Sequence, residues 1–106
     1  MRTLAPLAAS LFFFIAGVVT LIHPQENRVA NGNQLFDAIC RRCHVPDSPV
    51  FPGLQVLFKR DTLPFSKRPT NEENVRNQIL FGSTSMPPAQ ISNEELEDLI
   101  AYLKTL

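Results

Sequence analysis

The stretch Cys40-Arg41-Arg42-Cys43-His44 decides the fold of this chain, because it has the form C-x-x-C-H. Two thiols three residues apart on a helical turn can each add to one vinyl group of haem, which makes two thioethers. The imidazole that follows them then lies beneath the iron as a ligand. We therefore predict one haem c, attached covalently through Cys40 and Cys43 and ligated by His44.

Two other kinds of site use a C-x-x-C pair. A thioredoxin-like redox motif lies near a βαβ pattern, and the sequence shows no such pattern. A zinc site would need a fourth ligand beside Cys40, Cys43 and His44, and only His23 could supply it, from a position next to the apolar N-terminal run. The motif therefore favours haem over both alternatives.

Length and composition limit the protein to one small domain. The chain has 106 residues, two cysteines and a formal net charge of zero. This balance argues against a nucleic-acid-binding protein, and two cysteines are too few for a multi-disulfide scaffold. A domain of this size usually needs a covalent or metal staple, which the haem would supply.

An uncharged apolar run extends from Thr3 to Ile22. As a helix it would span the hydrocarbon core of a bilayer, about 30 Å. Arg2 precedes the run, and a positive N-terminus stays in the cytoplasm, so the rest of the chain should be translocated. A cleaved signal peptide has the same charge layout, but no good cleavage site follows this run. We expect a retained anchor.

These observations predict a domain order and a location. Residues 1–22 are an N-terminal transmembrane anchor or a signal peptide, residues 23–30 a linker, and residues 31–106 the folded domain. With the anchor retained, the protein lies in the inner membrane with its haem domain in the periplasm. With the segment cleaved, the domain is exported and soluble.

The first of three predicted helices covers Asn31–His44, since Phe36, Cys40 and Cys43 fall at i, i+4 and i+7 on one face. Long regular structure is then interrupted by five prolines, at positions 46, 49, 52, 64 and 69. No clear strand pattern appears. We predict an all-α domain whose long loops wrap something large.

Capping signals place the other two helices. The second is predicted to begin at Thr70, where Thr70 to Glu73 has capping-box spacing, and to stop at Gly82. The third is predicted to begin at Ser92, with Glu95 three residues later and an apolar stripe after it.

Met86 is the predicted second iron ligand. A lone methionine is more often core filler, but core methionines usually lie on helical stripes. Met86 instead lies in a polar stretch between two predicted helices, and Pro87 and Pro88 after it hold the backbone extended. His23, the other candidate ligand, directly follows the apolar run, so we interpret it as a residue at the membrane interface.

Over residues 31–106 the sequence resembles a class I c-type cytochrome. The matching motifs are G-x-x-L-F-x-x-x-C-x-x-C-H from Gly32, P-x-L from Pro52, G-x-x-x-M-P from Gly82, and a final E-E-L-x-x-L-I-A-Y-L helix. The resemblance implies a small cytochrome c fold, with three main helices wrapped around one haem. The N-terminal transmembrane helix would be added to this fold.

The resemblance also implies roles for individual residues. The second ring nitrogen of His44 should donate to the carbonyl of Pro52, which fixes the tautomer, and Leu54 should pack on the haem. The contact between the first and last helices should be made by Gly32, Phe36 and Tyr102.

With His44 and Met86 both on iron, no coordination position remains open for a substrate. We therefore expect a membrane-tethered one-electron carrier between membrane redox complexes, not an enzyme. An alternative is a fixed haem-bearing subunit of a larger respiratory or photosynthetic oxidoreductase. A gas sensor or peroxidase would need an open distal position. Expected partners are the membrane and donor and acceptor proteins, with no nucleic acid and no small-molecule substrate.

Charged residues cluster in two regions. The basic residues could form a docking patch for an acidic partner or a solvated surface, and we favour the solvated surface. They are Arg41, Arg42, Lys59, Arg60, Lys67 and Arg68. The acidic ones are interpreted as complementing the dipole of the last helix: Glu94, Glu95, Glu97 and Asp98.

Overall fold

The computed structural model describes residues 24–48 and 51–106. Their regular elements are α1 (Pro24–Leu35), a π-helical turn (Phe36–Cys40), a 3-10 turn (Leu57–Lys59), α2 (Glu72–Phe81) and α3 (Asn93–Leu103). The described part has no strand, only an isolated bridge between Thr62 and Pro69. The all-α prediction is confirmed for this part of the chain.

The predicted transmembrane segment, residues 1–22, lies outside the described residues. Within 24–48 and 51–106, no helix combines the length and apolar character needed to cross a bilayer.

The first helix begins earlier than predicted. It starts at Pro24 rather than Asn31, so most of the expected linker, residues 24–30, is helical. Proline suits the first helical position, because that residue needs no amide hydrogen bond. Apolar periodicity missed this segment because its described side chains are polar and exposed, apart from half-buried Val29 and exposed Ala30.

The predicted α-helix over Asn31–His44 is also wrong at its C-terminal end. The α-helical pattern stops at Leu35, and Arg41 N donates to Phe36 O at 2.9 Å, an i to i+5 bond. Such a bond adds one residue to the turn, so positions i, i+4 and i+7 no longer share a single face. Phe36 is buried, whereas Cys40 and Cys43 are half-buried.

The second helix starts one residue later than predicted. Asn71, not Thr70, is the cap, and its side chain accepts a hydrogen bond from Asn74 N at 2.8 Å. Asparagine caps better than threonine. The end is as predicted, since Gly82 follows the last turn with φ of +65°.

The third helix begins as predicted. The hydroxyl of Ser92 accepts from Glu95 N at 3.1 Å, and the Glu95 carboxylate accepts from Ser92 N at 2.9 Å. This reciprocal capping box satisfies two amide donors that the first turn would otherwise leave free.

The core forms around α3. Its apolar stripe is buried, and Leu99 is fully enclosed. The stripe packs with buried side chains from the other elements: Phe36, Leu57, Leu63, Val75 and Ile79.

Helices α1 and α3 cross in close contact at Gly32. A Cβ built on Gly32 would lie 2.0 Å from Asp98 O and 2.7 Å from Tyr102 Cβ, so only glycine fits there. Beside the crossing, the rings of Phe36 and Tyr102 lie with centroids 5.3 Å apart at an interplanar angle of 55°. The predicted contact of Gly32, Phe36 and Tyr102 is therefore confirmed.

Ion pairs join α2 to α3 on the surface. Arg76 pairs with Glu97 and reaches Glu72 at 3.3 Å, while Lys104 also pairs with Glu72. The hydrogen bond from Arg76 lowers the pKa of Glu97. Glu97 therefore bridges two helices, which is more than the dipole role that the sequence suggested for it.

Candidate functional site

A cavity of about 420 Å³ opens between the loops and the helices. Most of its lining is apolar, with Leu57, Val75 and Ile79 among its walls. Cys43, His44 and Met86 line it as well, although Met86 is far from the other two in sequence. The fold therefore brings one predicted attachment residue and both predicted iron ligands to one enclosed apolar space.

The remaining predicted site residues lie around the same cavity. Pro52 and Leu54 line it, and Leu54 packs against the core. Cys40 is not part of the lining, but it is half-buried and also packs against the core.

The His44 ring is held in one orientation. Its Nδ1 lies 2.9 Å from Pro52 O, the contact that the resemblance implied. Because a carbonyl can only accept, Nδ1 carries the hydrogen, and Nε2 keeps the lone pair with which histidine binds a metal. Cys40 O accepts from both Cys43 N at 3.1 Å and His44 N at 2.9 Å, which fixes the turn before the ring.

Both cysteines are free thiols in this structure. Burial raises the pKa of the Cys40 thiol to about 11.

Met86 lies in a tight loop closed on the end of α2. Ser83 N donates to Met86 O at 2.8 Å, and Met86 N donates to Ser83 O at 3.3 Å. A Cβ on Gly82 would lie 2.2 Å from Met86 O, so the loop needs glycine for space as well as for its positive φ.

The contacts of two residues near the predicted site could not be inferred from the sequence. Gln78 Nε2 donates to Met86 Sδ at 3.4 Å, and Arg60 Nη2 donates to Gly53 O at 3.1 Å in the loop that carries Pro52. Gln78 lies on α2 four residues, about one helical turn, before Gly82. This spacing is the one sequence feature that relates Gln78 to the Met86 loop.

Two of the basic residues are held by partners within the domain. Arg41 pairs with Asp37 at 2.7 Å and lies 5.8 Å from the centroid of the Phe36 ring. Arg60 is tied to the Gly53 carbonyl. Two of the six basic residues named in the sequence analysis therefore have partners within the domain.

The donor set fits a haem. The oriented imidazole, the thioether and the Cys43 thiol line the largely apolar cavity, and the Cys40 thiol belongs to the turn that precedes His44. Imidazole, thioether and two thiols are the groups by which c-type cytochromes hold that cofactor. The protein is a c-type cytochrome domain, which implies covalently bound haem c and electron transfer.

Comparison with known families identifies the chain more closely. Residues 27–103 match the family model described as cytochrome c oxidase, cbb3-type, subunit III, and the chain belongs to this family. No curated protein and no solved structure shows a significant match to the chain.

Proposed function

We propose that this protein transfers single electrons through one haem held by Cys40 and Cys43, with His44 and Met86 as the two axial ligands. The observation that carries the proposal is the cavity that Cys43, His44 and Met86 line together. The haem supplies the one-electron chemistry, and the protein supplies position and enclosure.

The residues around the cavity are suited to electron transfer with little rearrangement. The bond from His44 to Pro52 orients the imidazole, and the turn between Ser83 and Met86 holds the backbone from which the thioether extends. The mostly apolar walls limit the access of water to the site, which favours a constant environment for it. Two protein ligands leave no position for a substrate, so the proposed role is that of a carrier or an electron-transfer subunit.

The proposed location is the inner membrane, with residues 1–22 as anchor and the haem domain in the periplasm. The uncharged run Thr3 to Ile22 supports it, as does the motif, because haem c is attached outside the bacterial cytoplasm. A short tether would raise the concentration of the domain near membrane redox partners.

A second role is favoured by the comparison. The matched family is described as a subunit of an oxidase, which supports a fixed place within a larger membrane oxidoreductase. Purification in mild detergent separates the roles. A fixed subunit co-purifies with partner chains at constant stoichiometry, and a mobile carrier elutes alone.

The intact mass of the membrane-extracted protein tests attachment and anchoring together. We expect the mass of the chain with residues 1–22 retained plus one haem. A mass without haem would contradict the attachment, and a mass lacking the N-terminal segment would contradict the anchor alone.

Absorption spectra test the ligand set. We expect the ferric protein to show a methionine–iron charge-transfer band towards the red, absent in Met86→Ala. A wild-type ferrous haem that is five-coordinate and binds carbon monoxide readily would instead indicate a sensor or peroxidase.

A further inference from the structure

Phe51 is an aromatic residue that the proposed ligand set does not use. It immediately precedes Pro52, is half-buried and lines the cavity together with His44. Its ring centroid lies 6.4 Å from that of His44, and the two ring planes meet at 61°, an edge-on arrangement. One aromatic side chain therefore lies beside the imidazole and next in sequence to the residue whose carbonyl orients it.

The hydrogen bond between His44 and Pro52 is not closed off by the fold alone. Both residues are half-buried, and Val45 and Pro46, which follow His44 in the chain, are exposed. Water competes for a hydrogen bond that it can reach, so such a bond contributes less than one from which water is excluded. A bulky apolar side chain beside the imidazole reduces this competition.

Phe51 is also held in place through its backbone. Its N donates to Ser48 Oγ at 3.1 Å, which ties the start of the Pro52 loop to the segment that follows His44. Ser48 N in turn donates to Val45 O at 3.3 Å. Edge-on packing of two aromatic rings adds favourable energy beyond their burial, so the ring of Phe51 has a preferred place against the imidazole.

We infer that Phe51 is a positioning residue for His44: its ring shields the hydrogen bond from His44 Nδ1 to Pro52 O from water and so keeps the imidazole in one orientation. The consequence for electron transfer rests on the proposed ligation by His44, because an imidazole held in one orientation presents the same lone pair in both oxidation states. Neither the C-x-x-C-H motif nor the family description assigns a role to Phe51.

Phe51→Ala tests the inference in the ferrous holoprotein, where nuclear magnetic resonance follows the exchange of the His44 Nδ1 hydrogen with deuterated solvent. We expect this exchange to become about three- to tenfold faster, the effect of losing one aromatic pair contact. The matched control is Phe65→Ala, which removes a ring from the cavity lining but not the one that packs on His44. It should leave the exchange rate unchanged.

A core amide separates shielding from a general loss of stability. The amide of Leu99, a residue that is fully enclosed, reports on opening of the whole domain. In Phe51→Ala the exchange should accelerate by a larger factor at His44 Nδ1 than at this amide. An equal or smaller factor at His44 would contradict the inference, because the variant would then expose the bond by opening as a whole.

The chemical shifts of the His44 ring protons separate this inference from the proposed function. The ring protons of an imidazole bound to haem iron lie close to the face of the haem, whose ring current shifts them far upfield. If wild type lacks this shift, the proposed ligation by His44 fails, and the consequence for electron transfer fails with it. If the shift is present and Phe51→Ala exchanges at the wild-type rate, the ligation stands and the shielding role is wrong.

Two further variants guard against a folding defect. If Phe51→Ala does not accumulate, Phe51→Leu allows the same comparison, because leucine keeps the side chain apolar but lacks the ring that meets the imidazole edge-on. Phe51→Tyr keeps that ring and should retain the wild-type exchange rate. A Phe51→Leu protein with wild-type exchange would overturn the inference, as would a Phe51→Tyr protein that exchanges as fast as the alanine variant.

Discussion

At the scale of single residues, Gly82 is where backbone conformation and the site meet. Its φ of +65° lies where only glycine is comfortable, and its α-carbon faces the Met86 carbonyl. The position of the Met86 backbone therefore depends on a residue that carries no side chain.

Gly82→Ala should lower the stability of the domain and weaken the proposed ligation by Met86. The new Cβ would lie 2.2 Å from a backbone oxygen that cannot rotate away, at a positive φ. We expect a loss of about 2 kcal/mol or more in thermal or urea unfolding, with a weaker charge-transfer band.

Gly53→Ala is the matched control. Its Cβ would meet only the end of the flexible Gln55 side chain, which can move aside. Equal losses in the two variants would show that the clash at Met86 O is unimportant.

At the scale of elements, the crossing of α1 and α3 depends on Gly32. In Gly32→Ala the new Cβ would lie 2.0 Å from the Asp98 carbonyl oxygen. We expect this overpacking to lower the free energy of unfolding by several kcal/mol. The midpoint of thermal unfolding of the holoprotein measures it.

Asn33→Ala controls for helix propensity. Asn33 is exposed on the same helix, so alanine there should be neutral or slightly stabilising. A Gly32→Ala protein as stable as Asn33→Ala would contradict the close crossing.

The link between α2 and α3 predicts a pH dependence. The hydrogen bond from Arg76 lowers the pKa of Glu97. The ion pair therefore stabilises the folded state fully at pH values above the ordinary pKa of glutamate. This stabilisation is lost as the pH falls through the lowered pKa of Glu97. Glu97→Gln should therefore be less stable than wild type at pH 7, by under about 1 kcal/mol because both groups are partly exposed, and the difference should vanish in acid.

Glu94→Gln is the control for this pH series, since Glu94 is exposed in the first turn of the same helix. A difference between wild type and Glu97→Gln that grows as the pH falls would have the wrong sign. It would show that the ion pair does not act in solution.

The elements differ in how much of them the sequence could predict. The capping box of Ser92 and Glu95 is a local pattern, and it was predicted in full. The start of α1 was missed because its residues are polar, and the helix is recognisable only through its packing on α3. The π-helical turn was missed because an i to i+5 bond leaves no periodic signature.

The candidate site divides in the same way. The C-x-x-C-H motif is a local pattern of five residues, so the prediction of Cys40, Cys43 and His44 as site residues needs no tertiary contact. Gln78 could not, because its contact with Met86 depends on how the loop folds back onto α2. That geometry is tertiary and has no local pattern.

At the scale of the whole molecule, the two cysteines should decide whether the cofactor stays with the chain. We expect the Cys40→Ala/Cys43→Ala protein to release all haem on denaturation, whereas wild type keeps it, because no thioether can form. Gel-resolved haem staining measures this. Haem that stays with the denatured double variant would refute attachment through these thiols.

The crossing at Gly32 also orders the events of folding. It joins residues that lie at nearly opposite ends of the described chain, so closing it confines everything between them, including His44 and Met86, in one long loop. Such closure is slow, because its entropic cost precedes any gain in contacts. The turn from Gly82 to Met86 needs only neighbouring residues and can form at once. The local turns that hold His44 and Met86 should therefore form before the crossing brings the two residues to one cavity.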